Sequence, residues 1–171
     1  MRKVNFLITI LAAFTFLSCD KLEEDKTVFD GNFVEIDATV LNAPATGKEF
    51  PLLTRLPQGG RPVITAQDPL ITRLSGTIQL RVNLVTAQRG NAESLTYKVI
   101  PEETTAIAGT HYQISGTLQI PANSSFGYIE VQILDPGATS GTKDLVLELE
   151  SSSSLKANPN YNKVGIRIAQ N

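Results

Sequence analysis

The chain carries one histidine, His111, and one cysteine, Cys19, and this pair bounds the chemistry open to it. A serine hydrolase needs a histidine beside a serine held on a strained strand-to-helix elbow. No Gly-x-Ser-x-Gly motif is present, and Ser75-Gly76 and Ser115-Gly116 lead into strand-like runs instead. A structural zinc site takes four Cys or His ligands, more than this sequence owns. Glycoside hydrolysis needs two opposed carboxylates across a cleft. Here Glu130, Glu148 and Glu150 fall on the polar positions of alternating runs, where they serve solubility. No phosphate-cradling or dinucleotide glycine motif occurs, so the residue types point away from an enzyme. Tryptophan is absent, which leaves Phe126, Tyr128 and Tyr161 as the aromatic side chains on which a ligand could stack. The formal net charge of -2, with Lys and Arg scattered, excludes a nucleic-acid surface.

Strands must position these residues. Val34, Ile36, Ala38 and Val40 alternate with polar neighbours, and the same period of two runs through Ile78 to Leu84 and Leu95 to Val99. It returns at Leu118 and Ile120, Ile129 to Ile133, Leu145 to Leu149, and Val164 to Ile168. Successive strand side chains point to opposite faces, so each run has one apolar and one wet face. Turn residues separate them at Gly90-Asn91, Pro121-Ala122-Asn123, Asp135-Pro136-Gly137 and Asn158-Pro159-Asn160. No helical period follows residue 20. The expectation is an all-β, immunoglobulin-like antiparallel sandwich of about seven strands over residues 33–171, with Phe33 to Leu41 as its first strand. Residues 42–76 form a Pro-rich insertion holding Pro44, Pro51, Pro57, Pro62 and Pro69. Proline cannot donate to a ladder, so only a short edge hairpin of Phe50 to Leu56 with Val63 to Ile64 is expected there. With Arg55, Arg61 and Arg73, this segment is a candidate partner contact.

The N-terminus carries a different signal. Arg2 and Lys3 precede an apolar stretch from Val4 to Leu17, and Ser18-Cys19 follows at once. This is the three-part pattern of a secretory signal, too short for a good membrane span. Phe16-Leu17-Ser18-Cys19 resembles the lipobox of bacterial lipoproteins, with Phe16 where leucine is usual. That resemblance implies a signal peptide over residues 1–18 and lipidation of Cys19, whose acyl chains would hold the protein on a membrane. Removal of Arg2 and Lys3 with the signal takes the net charge from -2 to -4. Asp20, Glu23, Glu24 and Asp25 then open an acidic tether over residues 19–32. Acid directly after the cysteine resembles the export signal of Bacteroidetes lipoproteins. It implies an exported outer-membrane lipoprotein exposed at the cell surface.

One stretch supports a family resemblance. Ala106-Ile107-Ala108-Gly109-Thr110-His111-Tyr112 precedes Ser115-Gly116-Thr117-Leu118-Gln119-Ile120-Pro121, and Ile129-Glu130-Val131-Gln132-Ile133-Leu134-Asp135 follows. This order resembles a Calx-beta domain, and in particular the Calx-beta-like domains of uncharacterised Bacteroidetes lipoproteins. In this reading Gly109 supplies a positive φ and the Tyr112 hydroxyl ties a strand corner to backbone. The resemblance implies no cofactor beyond calcium, which some such domains bind through clustered carboxylates. The corresponding candidates are Glu102, Glu103, Asp135 and Asp144, but Pro136 replaces the second acid of the family's pair. The expected function is a lipid-anchored, non-catalytic binding or accessory domain of the cell envelope with an unknown protein or glycan partner. Two alternatives stand beside it. One is a structural subunit of an envelope assembly; the other is a glycan-binding accessory protein of a polysaccharide-uptake system.

Overall fold

The computed structural model describes residues 31–58 and 64–171. Its elements run β1 (Phe33–Ile36), α1 (Asp37–Leu41), β2 (Leu52–Leu53), β3 (Thr77–Val85) and β4 (Glu93–Val99). After a 3-10 turn (Pro101–Glu103) come β5 (Tyr112–Ile114), β6 (Thr117–Ile120), β7 (Phe126–Ile133), β8 (Thr142–Leu149), β9 (Lys156–Ala157) and β10 (Lys163–Ala169). One sheet has the order β5-β7-β3-β1-β9 and the other β2-β10-β8-β4-β6. The two pack face to face as a β-sandwich, the fold class the alternation predicts.

The buried positions are those the period of two selects. Ile78, Leu80, Val82 and Leu84 of β3 interleave with Ile129, Val131 and Ile133 of β7, facing Leu145, Leu147 and Leu149 of β8 and Val164, Ile166 and Ile168 of β10. All long strands pair antiparallel, as β3 with β7 through Thr77↔Gln132 to Asn83↔Phe126. The two-residue strands β2 and β9 add parallel pairings at the sheet edges, on β10 and β1.

The first strand is shorter than its alternation predicts. Pairing with β3 ends at Ile36↔Val82, and Asp37 to Leu41 turn into a single helical turn. That turn carries the chain from one sheet to the other. Thr39 is buried and its Oγ1 donates to the Lys163 carbonyl at 2.7 Å, while Asn42 Nδ2 donates to the Ala38 carbonyl at 2.8 Å. Ala38 is therefore buried by a helical turn, whereas Val40, placed inward by the alternation, is 38% exposed.

The Pro-rich segment also departs from expectation. Leu52–Leu53 pairs with Gly165 and Ile166 of β10 rather than with Ile64. Arg55 bridges Leu70 instead, and Phe50, Leu53 and Ile71 are buried. The segment is a cover for the β2-β10-β8 sheet. Gly165 is what lets it close, because a Cβ there would stand 2.6 Å from Leu52 Cδ1 and 3.1 Å from Phe50 Cε2. The turn at 100–106 covers the neighbouring strand: Ile100 N–H donates to the Val146 carbonyl, and Val146 N–H to Thr104 Oγ1.

Candidate functional site

The Pro-rich segment and the turn at 100–106 lie against β10 and β8 of the second sheet, while Leu56 to Gln58 border only the Thr77–Gln79 end of the first sheet's outer face. Its side chains come from the polar positions of β1, β3, β5 and β7. Tyr128 stands directly opposite Arg81, and Phe126 opposite Asn83. The rings of Phe126 and Tyr128 meet edge to face with centroids 5.7 Å apart at 73°. The Arg81 guanidinium carbon lies 4.2 Å from the Phe126 ring centroid, a cation–π contact that fixes both groups. Tyr128 keeps 39% of its surface in solvent.

A hydrogen-bonded row crosses the same face. Arg81 Nε donates to Asn83 Oδ1 at 2.8 Å, and Asn83 Nδ2 donates to Asp37 Oδ1 at 2.8 Å. Beyond it Asn158 Nδ2 donates to Glu35 Oε2 at 3.1 Å. Partial burial pushes the Glu35 carboxyl above its ordinary value; the Asn158 bond opposes that rise and the nearby Asp37 charge adds to it. At the other end of the face Gln79 Nε2 donates to Glu130 Oε1 at 2.9 Å. Next to Glu130 lies a depression lined by Thr77, Gln113, Ile114, Ser115, Glu130 and Gln132. The arrangement offers an exposed aromatic ring, the fixed amides of Gln79 and Asn83, and the exposed amides of Gln113 and Gln132.

The candidate residues thus divide. Phe126 and Tyr128 come together on this face. Tyr161 does not share their strand: it sits in the turn before β10, where its carbonyl accepts the Ile36 N–H at 2.8 Å. Sequence reading missed Arg81, Asn83, Asp37 and Glu35, because the alternation marks them only as wet. Their adjacency depends on the β3–β7 and β1–β3 registers, which no local pattern prints.

His111 is spent on its own turn. It is 7% exposed, and its Nδ1 accepts the Ile107 N–H at 3.0 Å. Gly109 takes φ 75 in that turn, as its type suggests. Tyr112 is buried, and burial raises its phenol pKa. The corner-tying hydroxyl expected of Tyr112 belongs instead to Tyr97. Tyr97 Oη lies 3.5 Å from Ser115 Oγ and 3.4 Å from the Glu130 carbonyl, both near the long limit of a hydrogen bond.

The four carboxylates named for calcium do not converge. Glu103 faces Lys48 at 3.1 Å and Lys163 at 3.5 Å; its desolvation is outweighed by these two cations, and its pKa is lowered. Asp135 accepts from Arg73 at 2.6 Å and from Gly137 N–H at 2.9 Å, which hold its carboxyl below the ordinary range. Asp144 takes a two-pronged contact from Arg167 at 2.8 Å and 2.8 Å. Glu102 sits beside Glu103 in the 3-10 turn. Calcium requires six to eight oxygens about one point, and carboxylates already matched to Lys48, Lys163, Arg73 and Arg167 do not fit it. Among the described residues no three His, Cys, Asp or Glu stand together as a metal site. Cys19 and residues 1–18, expected as a signal peptide, lie outside the described residues.

Fold and site together define a two-sheet β-sandwich with an exposed aromatic and polar face on its first sheet. No protein-family model matches the sequence, and comparison with curated proteins gives no match. Among solved structures the chain is similar to CBD12 from CALX1.2, at 18% identity and a TM-score of 0.48, over 57% of this chain and 39% of that one. It is similar to the Calx CBD1 domain in its apo form, at 17% identity and 0.48, over 59% and 88% of the two chains. It is also similar to a two-domain protein of unknown function from Bacteroides fragilis, at 9% identity and 0.46, over 81% and 45%. The chain spans less than half the length of the first and third of these.

Proposed function

We propose that this chain is an exported lipoprotein of the cell envelope whose sandwich is a non-catalytic binding module displayed at the cell surface. One observation carries the binding part: the outer face of the first sheet exposes Tyr128 beside side chains already fixed against one another, with Arg81 held by Phe126 and Asn83. Groups fixed before a ligand arrives lose little entropy when it binds. The single imidazole serves the turn at 107–112, Glu103, Asp135 and Asp144 are matched to cations, and Glu35, Asp37 and Glu130 accept from amides, which favours binding over proton transfer. The display part rests on the run from Arg2 to Cys19 and the acids that follow it.

The test is fractionation and protease treatment of intact cells expressing the wild type, Cys19→Ala, and a variant with the acids of residues 20–25 neutralised. Wild type should stay with the membrane and be digested from outside. Cys19→Ala should leave the membrane fraction, and the neutralised variant should stay membrane-bound but protected. Wild type that is membrane-bound yet protected would sink surface display, and a membrane-bound Cys19→Ala would sink the lipid anchor.

A further inference from the structure

We infer that the exposed face of the first sheet binds a neutral oligosaccharide, running from the Tyr128 ring into the depression lined by Thr77, Gln113, Gln132 and Glu130. The inference rests on the binding-module reading and is independent of the anchor. Its basis is the complement of groups. The depression holds two glutamine amides, each both donor and acceptor, with the Thr77 hydroxyl and the Glu130 carboxylate; the Ser115 hydroxyl is spent on Thr117. Sugar hydroxyls also donate and accept at once, so such groups satisfy them in pairs.

What is missing from the lining excludes the other ligand classes. No Lys, Arg or His borders the depression, so an anion would find no counter-charge there. Arg81, which lies opposite Tyr128 and outside the depression, spends its Nε on Asn83 and its face on Phe126 but keeps its charge, so the anionic control tests this end of the face. A cation would meet only Glu130, one of whose oxygens accepts from Gln79. An apolar ligand would have Ile114 and the Tyr128 ring, and would strand every amide around it. Among the described residues the Gln113 and Gln132 side chains make no hydrogen bond within the protein, so these amides are free for a ligand.

Geometry suits a chain of sugars rather than one. Tyr128, Glu130 and Gln132 point to the same side of β7, two residues apart each time. At the usual strand rise, Tyr128 and Gln132 stand about 14 Å apart. A pyranose laid flat on the Tyr128 ring would carry its neighbours towards Gln132 and Gln113, across the pairing Gln113↔Gln132. Phe126 meets Tyr128 edge to face and buttresses that ring.

The experiment uses the full mature chain carrying Cys19→Ala, titrated with neutral tetrasaccharides of glucose, mannose and galactose, with tetragalacturonate as the anionic control. Binding is read by backbone amide shifts. At least one neutral tetrasaccharide should shift residues 77–81, 113–115 and 128–132. Tyr128→Ala and the pair Gln113→Ala/Gln132→Ala should each weaken that binding at least tenfold with the amide spectrum otherwise intact, while Tyr161→Ala leaves it unchanged. Silence with all three neutral sugars, preference for tetragalacturonate, or shifts elsewhere would overturn the glycan assignment. None of those results touches surface display, which the protease experiment reads separately. Release of shorter sugars during the titration would instead sink the non-catalytic reading.

Discussion

A single methyl group decides more at Gly127 than at any loop glycine. β7 and β6 belong to different sheets, yet they meet at one corner of the sandwich. A Cβ on Gly127 would press into the Gln119 carbonyl oxygen and stand 3.0 Å from the Gln119 carbonyl carbon. Both neighbours are backbone, so neither swings aside. Gly127→Ala should therefore destabilise by about 1–3 kcal/mol, the usual cost of overpacking, read as a lowered urea midpoint. Gly90, with no atom within 4 Å of its built Cβ, is the control; Gly90→Ala should be neutral or stabilise by up to about 1 kcal/mol. Equal effects at the two positions would refute the corner contact. A second residue effect is electrical. Burial raises the Glu35 carboxyl above the 4.5 of the free side chain, so the folded protein binds this proton more tightly than the unfolded chain does. The resulting contribution is full below 4.5 and is lost as pH rises through the folded value, leaving a buried charge at neutral pH. Glu35→Gln keeps an acceptor for Asn158 and removes that charge. Its melting temperature should exceed wild type by more at pH 7 than at pH 4; an equal gain at both would show that burial of charge is not the cause.

At the scale of elements, two short pieces hold what the long strands do not. α1 crosses between the sheets on the Thr39 Oγ1 bond to the Lys163 carbonyl, 124 residues away in sequence. Thr39→Val preserves shape but leaves that carbonyl unpaired, and should cost about 1 kcal/mol by chemical denaturation. The turn at 107–112 depends on His111 Nδ1 as acceptor for the Ile107 N–H. His111→Ala leaves a donor unsatisfied and should cost about 1–3 kcal/mol in the same measurement. If either substitution is silent, the bond it removes does not hold its element. These two elements also mark where sequence reading stops. The runs Ile78 to Leu84 and Ile129 to Ile133 print their inward faces because burial acts on every second residue, and their strands are legible. Val34 to Val40 prints the same period, but the chain turns at Asp37 because β1 must release it to reach the second sheet. That demand is tertiary and leaves no local mark. The candidate face fares alike: Phe126 and Tyr128 are readable as exposed aromatics, whereas Arg81 joins them only through the pairing of β3 with β7.

For the whole molecule the question is which residues the fold needs. The buried cluster runs from Val34 to Ile168 and draws on both sheets. β1 enters it between β3 and β9 of the first sheet, and β10 closes it between β2 and β8 of the second. Neither end of residues 33–169 can therefore be released without opening a core between two sheets. Such a core, filled by strands that pair far apart in sequence, melts as one unit. The chain from residue 31 onward should accordingly unfold in one cooperative urea transition, with the midpoint of residues 19–171 carrying Cys19→Ala. Nonlocal pairing also places refolding in the range of milliseconds to seconds typical of β-sandwiches. Two separate transitions, or a midpoint that falls when residues 19–30 are removed, would show that the tether contributes to the fold. A coincident midpoint would show that residues 19–30 add nothing to the stability of the sandwich, so that its exposed face is equally stable with or without them.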